Sequence, residues 1–289
     1  MISAGKNREV FLKQVSVKDI TKKVRDLCIS AACDLEPDVA SAIRSAFDRE
    51  ESVLGKEVLG QIVENFEIAG REHLPMCQDT GISVFFVEVG REVAFDGSLE
   101  DAINEGVRQG YREGYLRKSV CHPLKRVNTG DNTPAIIHTT IVEGGKVKIK
   151  IAPKGAGSEN MSRLKMLKPA EGVEGISAFV VETVKEAGGN PCPPIVLGVG
   201  IGGSFEKCAI LAKKALLRPI GTQNPDSDLN ALEQELLGKI NDLGIGPMGF
   251  GGRTTALAVH IEASPCHIAS LPVAVNIQCH AGRHKEIEI

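Results

Sequence analysis

Aromatic residues are scarce in this chain of 289 residues, which has no tryptophan, two tyrosines and nine phenylalanines. Proteins that bind bases or sugars by stacking depend on aromatic side chains, so this composition argues against such functions. A basic stripe is also missing: 34 Lys and Arg residues stand against 37 Asp and Glu, for a formal net charge of -3. The composition therefore does not fit a nucleic-acid-binding protein.

Long apolar segments are lacking as well. No segment approaches the run of about 18 apolar residues that a membrane span requires. The N-terminal stretch MISAGKNREVFLKQVSVKDI contains neither the apolar core of a secretory signal nor an Arg-rich amphipathic presequence. We therefore expect a cytoplasmic protein with no membrane segment, in which the eight cysteines stay reduced.

The first third of the chain predicts helices. Ser16 can cap a first helix, with Asp19 at its third position and apolar residues at helical spacing after it. Pro37 suits the first turn of a second helix, and a third is predicted over about residues 53–67. These helices would form an N-terminal layer over about residues 15–68.

From Ile82 onward the pattern changes to strands mixed with helices. ISVFFVEV predicts a strand, and a helix is expected to open near Ser98. The segments AIIHTTIVE and KVKIKIAP flank Gly144 and Gly145, which predicts a tight β-hairpin. Helices over about 173–187, 204–217 and 228–243 alternate with strands over about 195–201, 254–263 and 272–278. We therefore predict an α/β (α+β) fold with a mixed sheet and flanking helices, as a single domain over residues 1–289.

Two short motifs have alternative interpretations. Asp79-Thr80-Gly81 matches the motif of aspartic proteases, but those enzymes need a second such carboxylate and an all-β architecture. Gly198, Gly200 and Gly203 form a G-x-G-x-x-G run between a strand and a helix, which can hold a phosphate. The expected acidic residue at the end of a following strand is missing, so a close approach of the backbone to a neighbour is the competing interpretation.

The eight cysteines divide into two groups. Cys28 and Cys208 lie on or beside apolar helical faces and Cys33 lies near a helix end, which predicts core positions, whereas Cys121 fits either group. The motifs PMCQDTG, NPCPP, SPCH and IQCHAGRH place the other four at strand ends or proline-locked turns: Cys77, Cys192, Cys266 and Cys279.

A metal centre is the natural use for such dispersed thiolates. Structural zinc sites usually contain closely spaced ligand pairs, and none of these four cysteines has another cysteine two to four residues away. His280 and His284 are spaced as a pair but have no CxxC to complete them. Cysteines on distant loops can also hold an iron–sulfur cluster, although the familiar ferredoxin patterns are clustered. Spacing alone leaves both metals open.

Five blocks taken together carry a more specific signal. In order, they are PMCQDTG, LRKSVCHPLKRVNTGDNTPAIIH, KGAGSENMSRLKML, NPCPPIVLGVGIGGSFEKCAILAKKALL and GPMGFGGRTTALAVHIEASPCHIASLPVAVNIQCHAGRH. From about residue 10 to its end, the chain resembles the class I, iron–sulfur fumarase family, which includes tartrate dehydratases. It is most similar to the α subunit of the two-subunit members.

The resemblance implies a [4Fe-4S] cluster bound by three cysteines, with one iron open to substrate. The ligand positions fall on Cys77, Cys192 and Cys279, with Cys266 the competing candidate for the third. Cys279 is preferred because the family's order of histidine, alanine, serine and proline before the ligand is met by residues 267–272. The family's substrate-contacting positions fall on Gln78, Asp79, Arg117, Gly157 and His267.

The implied reaction is the reversible hydration of fumarate to L-malate. Asp79 would take part in proton transfer, together with a hydroxyl group from a second subunit. Arg117 would clamp a carboxylate, and the backbone at Gly157 would approach the substrate. Dehydration of L-tartrate to oxaloacetate is the alternative activity, and a cluster-bearing subunit without turnover is an alternative of another class.

The resemblance also implies a partner. Fused members of the family continue into a second, swivelling domain, whereas this chain stops a few residues after HAGRH. A separate β subunit carrying that domain is therefore expected, in an α2β2 heterotetramer.

Overall fold

The computed structural model describes residues 12–289, and these group into two compact units. The first unit contains residues 12–30, 82–152 and 285–289, and the second contains residues 31–81 and 153–284. The segment MISAGKNREVF, for which the sequence predicts no targeting signal, lies outside the described residues. A single domain over residues 1–289 stays a prediction.

The first unit combines a mixed sheet with two helices. Its four-stranded sheet has the order β10-β5-β2-β4, with β2 and β4 parallel and β10 antiparallel to β5, and β1 pairs with β3 separately. Its elements are β1 (Lys13–Val15), most of α1 (Val17–Cys33), β2 (Ile82–Gly90), β3 (Val93–Phe95), α4 (Leu99–Glu113), β4 (Ile136–Val142), most of β5 (Val147–Lys154) and β10 (Lys285–Glu288).

The predicted β-hairpin is wrong. Strands β4 and β5 exist, but β2 lies between them in the sheet. The turn at Gly144 crosses the end of β2, because Gly90 N donates to Lys146 O at 2.8 Å and Glu92 N donates to Gly144 O at 3.0 Å. A side chain at Gly90 would collide with this turn, since its Cβ would lie 2.3 Å from Gly144 O. The helix α4 makes the crossover that parallel β2 and β4 require.

The second unit contains most of the helices and the second sheet. That sheet has the order β6-β9-β7-β8, with β7 and β8 parallel and the other two pairs antiparallel. The elements are α2 (Pro37–Arg49), α3 (Val53–Glu72), α5 (Ala156–Glu159), β6 (Arg163–Leu167), α6 (Gly172–Ala187), β7 (Ile195–Gly202), α7 (Phe205–Ala215), α8 (Ser227–Asn241), β8 (Ala256–Ser264) and β9 (Leu271–Gln278).

The core of the second unit joins this sheet to α6 and α8. Strand β7 is buried along its whole length, and its apolar residues pack with Phe179, Val180, Leu236 and Ile240. The α/β prediction with mixed sheets and flanking helices is thus confirmed. Within residues 12–289, no helix is both long and apolar enough to cross a bilayer.

The glycine run of β7 serves packing rather than a phosphate loop. Gly198 and Gly200 lie inside the strand, opposite helix α7. A Cβ on Gly198 would lie 2.0 Å from Ala212 O, and one on Gly200 would lie 1.9 Å from Cys208 O. Only glycine allows the helix backbone to come this close, so the interpretation as a close approach is the one the structure supports.

The register of β7 against β9 determines which loops meet. Val196 at the start of β7 pairs with Gln278 at the end of β9. Because the two strands are antiparallel, the segment before β7 and the segment after β9 emerge at the same end of the sheet. These segments contain Cys192 and Cys279.

Candidate metal centre

Cys192 and Cys279 are joined through His280. The backbone N–H of His280 donates to the carbonyl oxygen of Cys192 at 3.4 Å, and its Nδ1 lies 3.0 Å from the same oxygen. A carbonyl oxygen only accepts, so Nδ1 carries a proton. Burial lowers the pKa of His280, and the bond to Cys192 opposes that shift. The two cysteine-bearing loops are therefore fixed to each other.

Cys77 reaches the same place from the loop between α3 and β2. Its neighbour Met76 packs in one apolar group with Ala281 and Cys279. The guanidinium of Arg283 donates from Nη2 to the carbonyl oxygen of Asp79 at 2.9 Å, which ties the Cys77 loop to the loop after β9. Three segments far apart in sequence thus meet at one end of the sheet.

The thiols of this group influence one another. Burial raises the pKa of the Cys192 thiol, and the nearby sulfurs of Cys279 and Cys77 raise it further. Each of the three is only partly buried, whereas Cys28, Cys33 and Cys208 are buried, which confirms the predicted core positions. Burial also raises the pKa of Cys28 to about 12, so that thiol stays protonated at neutral pH.

A site for one metal ion and a site for a cluster differ in how far apart their ligands stand. Among residues 12–289, no three His, Cys, Asp or Glu side chains lie close enough together to bind one metal ion. In an iron–sulfur cubane each thiolate binds a different iron, so its ligands stand farther apart than those around one zinc ion.

The backbone around these cysteines is tightly constrained. Cys192 has a φ of 56°, in the left-handed region that non-glycine residues rarely adopt, and its N–H donates to Gly189 O at 3.1 Å. Such conformations cost about 1 kcal/mol or more and collect at functional positions. Gly81 has a φ of 78°, and a Cβ there would lie 2.7 Å from the backbone of Lys154. The Cys77 turn is therefore pressed against the end of β5.

The carboxylate of Asp79 is held by backbone groups. Its Oδ2 accepts from Ala156 N at 2.8 Å and its Oδ1 accepts from Gly81 N at 3.1 Å. The N–H of Asp79 points to Cys77, with the nitrogen 3.4 Å from the sulfur. The same turn therefore fixes the thiol and orients the carboxylate, which is the geometry that a positioned acid or base needs.

Gln78 and Gly157 lie beside this turn. Gln78 is exposed, with its Oε1 3.6 Å from the Cys77 sulfur. Gly157 is exposed on α5, and a Cβ there would lie 3.7 Å from Asn190 O, two residues before Cys192. The second unit thus brings together Cys77, Gln78, Asp79, Gly157, Cys192 and Cys279.

Cys266 and His267 lie elsewhere. They are exposed on the loop between β8 and β9, which leaves the sheet at the end opposite Cys279. Strand β9 has 8 residues, which at about 3.3 Å per residue separates the two ends by roughly 26 Å. Of the two candidates for the third cysteine, only Cys279 therefore lies with Cys192, and His267 is not brought to the three thiols within one chain.

Arg117 belongs to the first unit. It is exposed and follows the end of α4, in an irregular segment. Its assignment to substrate binding stays a prediction.

Two buried cations were not singled out from the sequence. Arg283 is 2% exposed, and Lys154 is 4% exposed with its Nζ 2.8 Å from Ser158 Oγ and 3.2 Å from Glu159 Oε2. Burial lowers the pKa of Lys154 to about 8, against the opposing effects of Glu159 and of Cys279 nearby. Lys154 belongs to the motif KGAGSEN and Arg283 belongs to HAGRH, but the spacing of residues in these motifs does not indicate that either side chain is buried.

Comparison with known proteins gives this arrangement a context. A family model described as fumarate hydratase (Fumerase) matches residues 21–288. The chain belongs to the fumarate hydratase family. It is thus a member of a hydro-lyase family, as the sequence blocks predict.

Two similar proteins of this family are both named for tartrate dehydration. The chain is 48% identical over 271 residues to a Methanocaldococcus jannaschii protein provisionally named L(+)-tartrate dehydratase subunit alpha, over 91% of this chain and 95% of that protein. It is 34% identical over 275 residues to the L(+)-tartrate dehydratase subunit alpha of Escherichia coli K12, over 94% of this chain and 91% of that protein.

The side chains present fit the cluster that the resemblance to iron–sulfur fumarases implies. Three partly buried thiols meet, and no fourth cysteine lies on the loops that carry them. Two buried cations accompany them, since Lys154 interacts with Cys279 and Arg283 donates to Asp79 O. Three thiols without a fourth cysteine are the donor set that a cluster with three protein ligands would use.

Proposed function

We propose that this chain is the α subunit of a [4Fe-4S]-dependent hydro-lyase that reversibly hydrates fumarate to L-malate. The observation that carries the proposal is the convergence of three thiols beside the anchored carboxylate of Asp79. Cys77, Cys192 and Cys279 would hold the cluster. When bound, the cluster supplies a Lewis-acidic iron that polarises the substrate's hydroxyl group.

Asp79 is assigned to proton transfer. Loss of water from malate requires removal of a weakly acidic proton next to a carboxylate, which a fixed carboxylate assists. The bonds from Ala156 N and Gly81 N orient the Asp79 carboxylate. A residue that only caps the turn would make the same two bonds. The Asp79→Asn variant therefore has to separate proton transfer from turn capping.

The remaining polar groups of the turn are assigned to the diacid. The exposed amide of Gln78 can donate to a substrate carboxylate, and the side-chain-free backbone at Gly157 allows close approach. Arg117 is assigned to a substrate carboxylate, for which its guanidinium is chemically suited. His267 lies away from the three thiols of this chain. Its predicted substrate contact therefore requires a diacid that is bound outside this chain's thiol site.

A second subunit completes the proposal. The similar proteins are named as alpha subunits, which supports a β partner. The swivelling domain of that partner and an α2β2 assembly are part of the proposal. The eight cysteines are all free, which is consistent with a reducing, cytoplasmic setting.

L-Tartrate is the second candidate substrate. The names of the relatives favour it, and tartrate differs from malate by one hydroxyl group. A side-by-side assay of malate and L-tartrate dehydration by the same preparation decides between them.

The decisive experiment is anaerobic co-production of the chain with its β subunit, followed by iron and sulfide analysis and hydration assays. We expect iron, sulfide and fumarate hydration in the native complex. Cys77→Ser, Cys192→Ser and Cys279→Ser should each lose most of the iron and sulfide. Cys266→Ser is the matched control and should retain both. A native complex without iron and sulfide contradicts the proposal. A native complex that holds a cluster but acts on no dicarboxylate would show that the chain is a cluster-bearing subunit without catalytic activity.

The Asp79→Asn variant completes this experiment. Asparagine can still accept from one backbone N–H but cannot take a proton, so cluster content should stay normal while turnover falls by roughly 100-fold or more. Near-normal turnover in this variant would remove Asp79 from the chemistry and leave it a turn cap.

A further inference from the structure

Arg283 is the largest fully buried side chain of the described residues. Its Nη2 donates to Asp79 O, but its Nε and Nη1 are buried without a hydrogen-bond partner. No ion pair joins it to a carboxylate among the described residues, whereas the partly buried Arg218, whose Nε and Nη1 also lack partners, pairs through Nη2 with Glu233 Oε2 at 2.5 Å. Since a guanidinium is always charged, Arg283 carries a buried positive charge, and two of its nitrogens have no hydrogen-bond partner.

The position of Arg283 indicates where its counter-charge belongs. It lies four residues after Cys279, and its bonded partner Asp79 lies two residues after Cys77. The neighbouring imidazole of His280 offers no negative charge. A Cβ on Gly155 would lie 3.1 Å from Asp79 Oδ2 and 3.8 Å from Arg283 Nη2, so this guanidinium borders the Asp79 turn. The Asp79 carboxylate is the other anionic group of this region, and it already accepts from Ala156 N and Gly81 N, which leaves the thiolates once they bind metal.

We propose that Arg283 is a positioning residue for the cluster, which donates its free N–H groups to cluster or thiolate sulfur and offsets the negative charge there. This inference rests on the proposed function. Hydrogen bonds to sulfur and nearby charge stabilise iron–sulfur clusters and set their potentials. Lys154 differs, because its ammonium group already has Ser158 and Glu159 as partners.

A substrate carboxylate is the competing acceptor, since it has the same chemistry as an anion. The burial of Arg283 favours sulfur, because a diacid enters from solvent and Arg283 is 2% exposed. The experiment therefore measures cluster properties and diacid binding separately.

The test compares Arg283→Gln and Arg283→Lys with the native complex and with Arg253→Gln. Arg253 is an exposed arginine of the same unit, 3.0 Å from the exposed Glu51, and serves as the matched control. The readouts are iron and sulfide per chain, the rate of iron loss to a chelator, the electron paramagnetic resonance spectrum of the reduced cluster, the dissociation constant of malate, and thermal unfolding with and without the cluster.

Arg283→Gln should lose iron roughly tenfold faster than the native complex or more, with an altered spectrum. Arg283→Lys keeps the charge with fewer donors and should be intermediate. The metal-free Arg283→Gln protein should unfold at the native temperature or above it, because an unpaired buried charge has been removed. A residue that only braces the Asp79 turn would instead destabilise the metal-free and the loaded protein equally.

Three outcomes would overturn the proposal. The first is equal destabilisation of the metal-free and loaded forms, and the second is native cluster stability and spectrum in Arg283→Gln. The third is weaker dicarboxylate binding with an unchanged cluster, which would assign Arg283 to the substrate. A native complex without iron and sulfide would contradict the proposed function itself. The three results above contradict only the role of Arg283 and leave the proposed function standing.

Discussion

His260 is a buried histidine in an environment that disfavours its charge. It lies in the middle of β8, 2% exposed, with Nδ1 3.2 Å from Ala215 O. Burial and the nearby charge of Arg218 lower its pKa to about 4, against the opposing effects of Glu233 and Asp38. His260 is therefore neutral in the folded protein at neutral pH.

This environment predicts a loss of stability in mild acid. In the unfolded chain His260 has a pKa of about 6.5, so between about pH 6.5 and 4 the unfolded state binds more protons. The free energy of unfolding should fall by about 2 kcal/mol from this group alone by pH 5. His260→Gln should lack that portion, measured by urea unfolding of the native and variant proteins from pH 7.5 to 5.

The exposed His267 supplies the control for this prediction. His267→Gln should keep the native pH profile, since its ring lies on a surface loop. Parallel profiles for the native protein and His260→Gln would show that other groups cause the acid sensitivity.

At the scale of elements, the contact of α7 with β7 depends on two glycines. The Cβ of an alanine at position 200 would lie 1.9 Å from Cys208 O, inside the helix backbone. Gly200→Ala should therefore destabilise the protein by about 3 kcal/mol, as overpacking of a rigid contact does. Chemical denaturation of the two proteins measures this difference.

Gly238 provides the matched substitution in an open position. It lies within α8, and a Cβ there would meet no atom within 4 Å. Gly238→Ala should stabilise the protein by roughly 0.5–1 kcal/mol through helix propensity. If both alanines destabilised the protein alike, backbone approach would not be the reason for Gly200.

The sequence predicted most elements of the whole molecule but not all their partners. Apolar runs identified β2 and β7, and the cap at Ser98 identified α4, because those signals are local. The β4–β5 pairing failed because Gly144 and Gly145 indicate a turn without indicating that β2 passes beneath it. The short strands β6 and β10 carry too few residues for a periodic signal.

The candidate site shows the same limit. The cysteines, Gln78, Asp79 and Gly157 were found through motifs, and the fold of the second unit brings them together. His267 precedes β9 and Cys279 follows it, so the strand holds the two residues at opposite ends of the sheet. The motif does not show this separation, because it depends on the strand. The burial of Arg283 and Lys154 was also invisible, since basic residues are usually exposed.

The arrangement of the thiols predicts how the whole molecule responds to loss of metal. A cluster on Cys77, Cys192 and Cys279 would cross-link the loop after α3, the loop before β7 and the loop after β9. Binding that occurs only in the folded state stabilises the segments it connects. Removing iron with a chelator under anaerobic conditions should therefore loosen these three loops first. Hydrogen exchange at the amides of Asp79, Cys192 and His280 should accelerate roughly tenfold or more, a loss of about 1.4 kcal/mol in local stability.

Helix α4 of the first unit supplies the internal reference for this measurement. Its amides are bonded within the helix and capped by Ser98, far in sequence from any of the three cysteines, so their exchange should change much less. Exchange that accelerates equally in α4 and in the three loops would indicate global unfolding on metal loss rather than release of a local cross-link. Exchange unchanged everywhere would mean that the three loops keep their positions through hydrogen bonds such as Arg283 to Asp79 alone, with no structural contribution from the cluster.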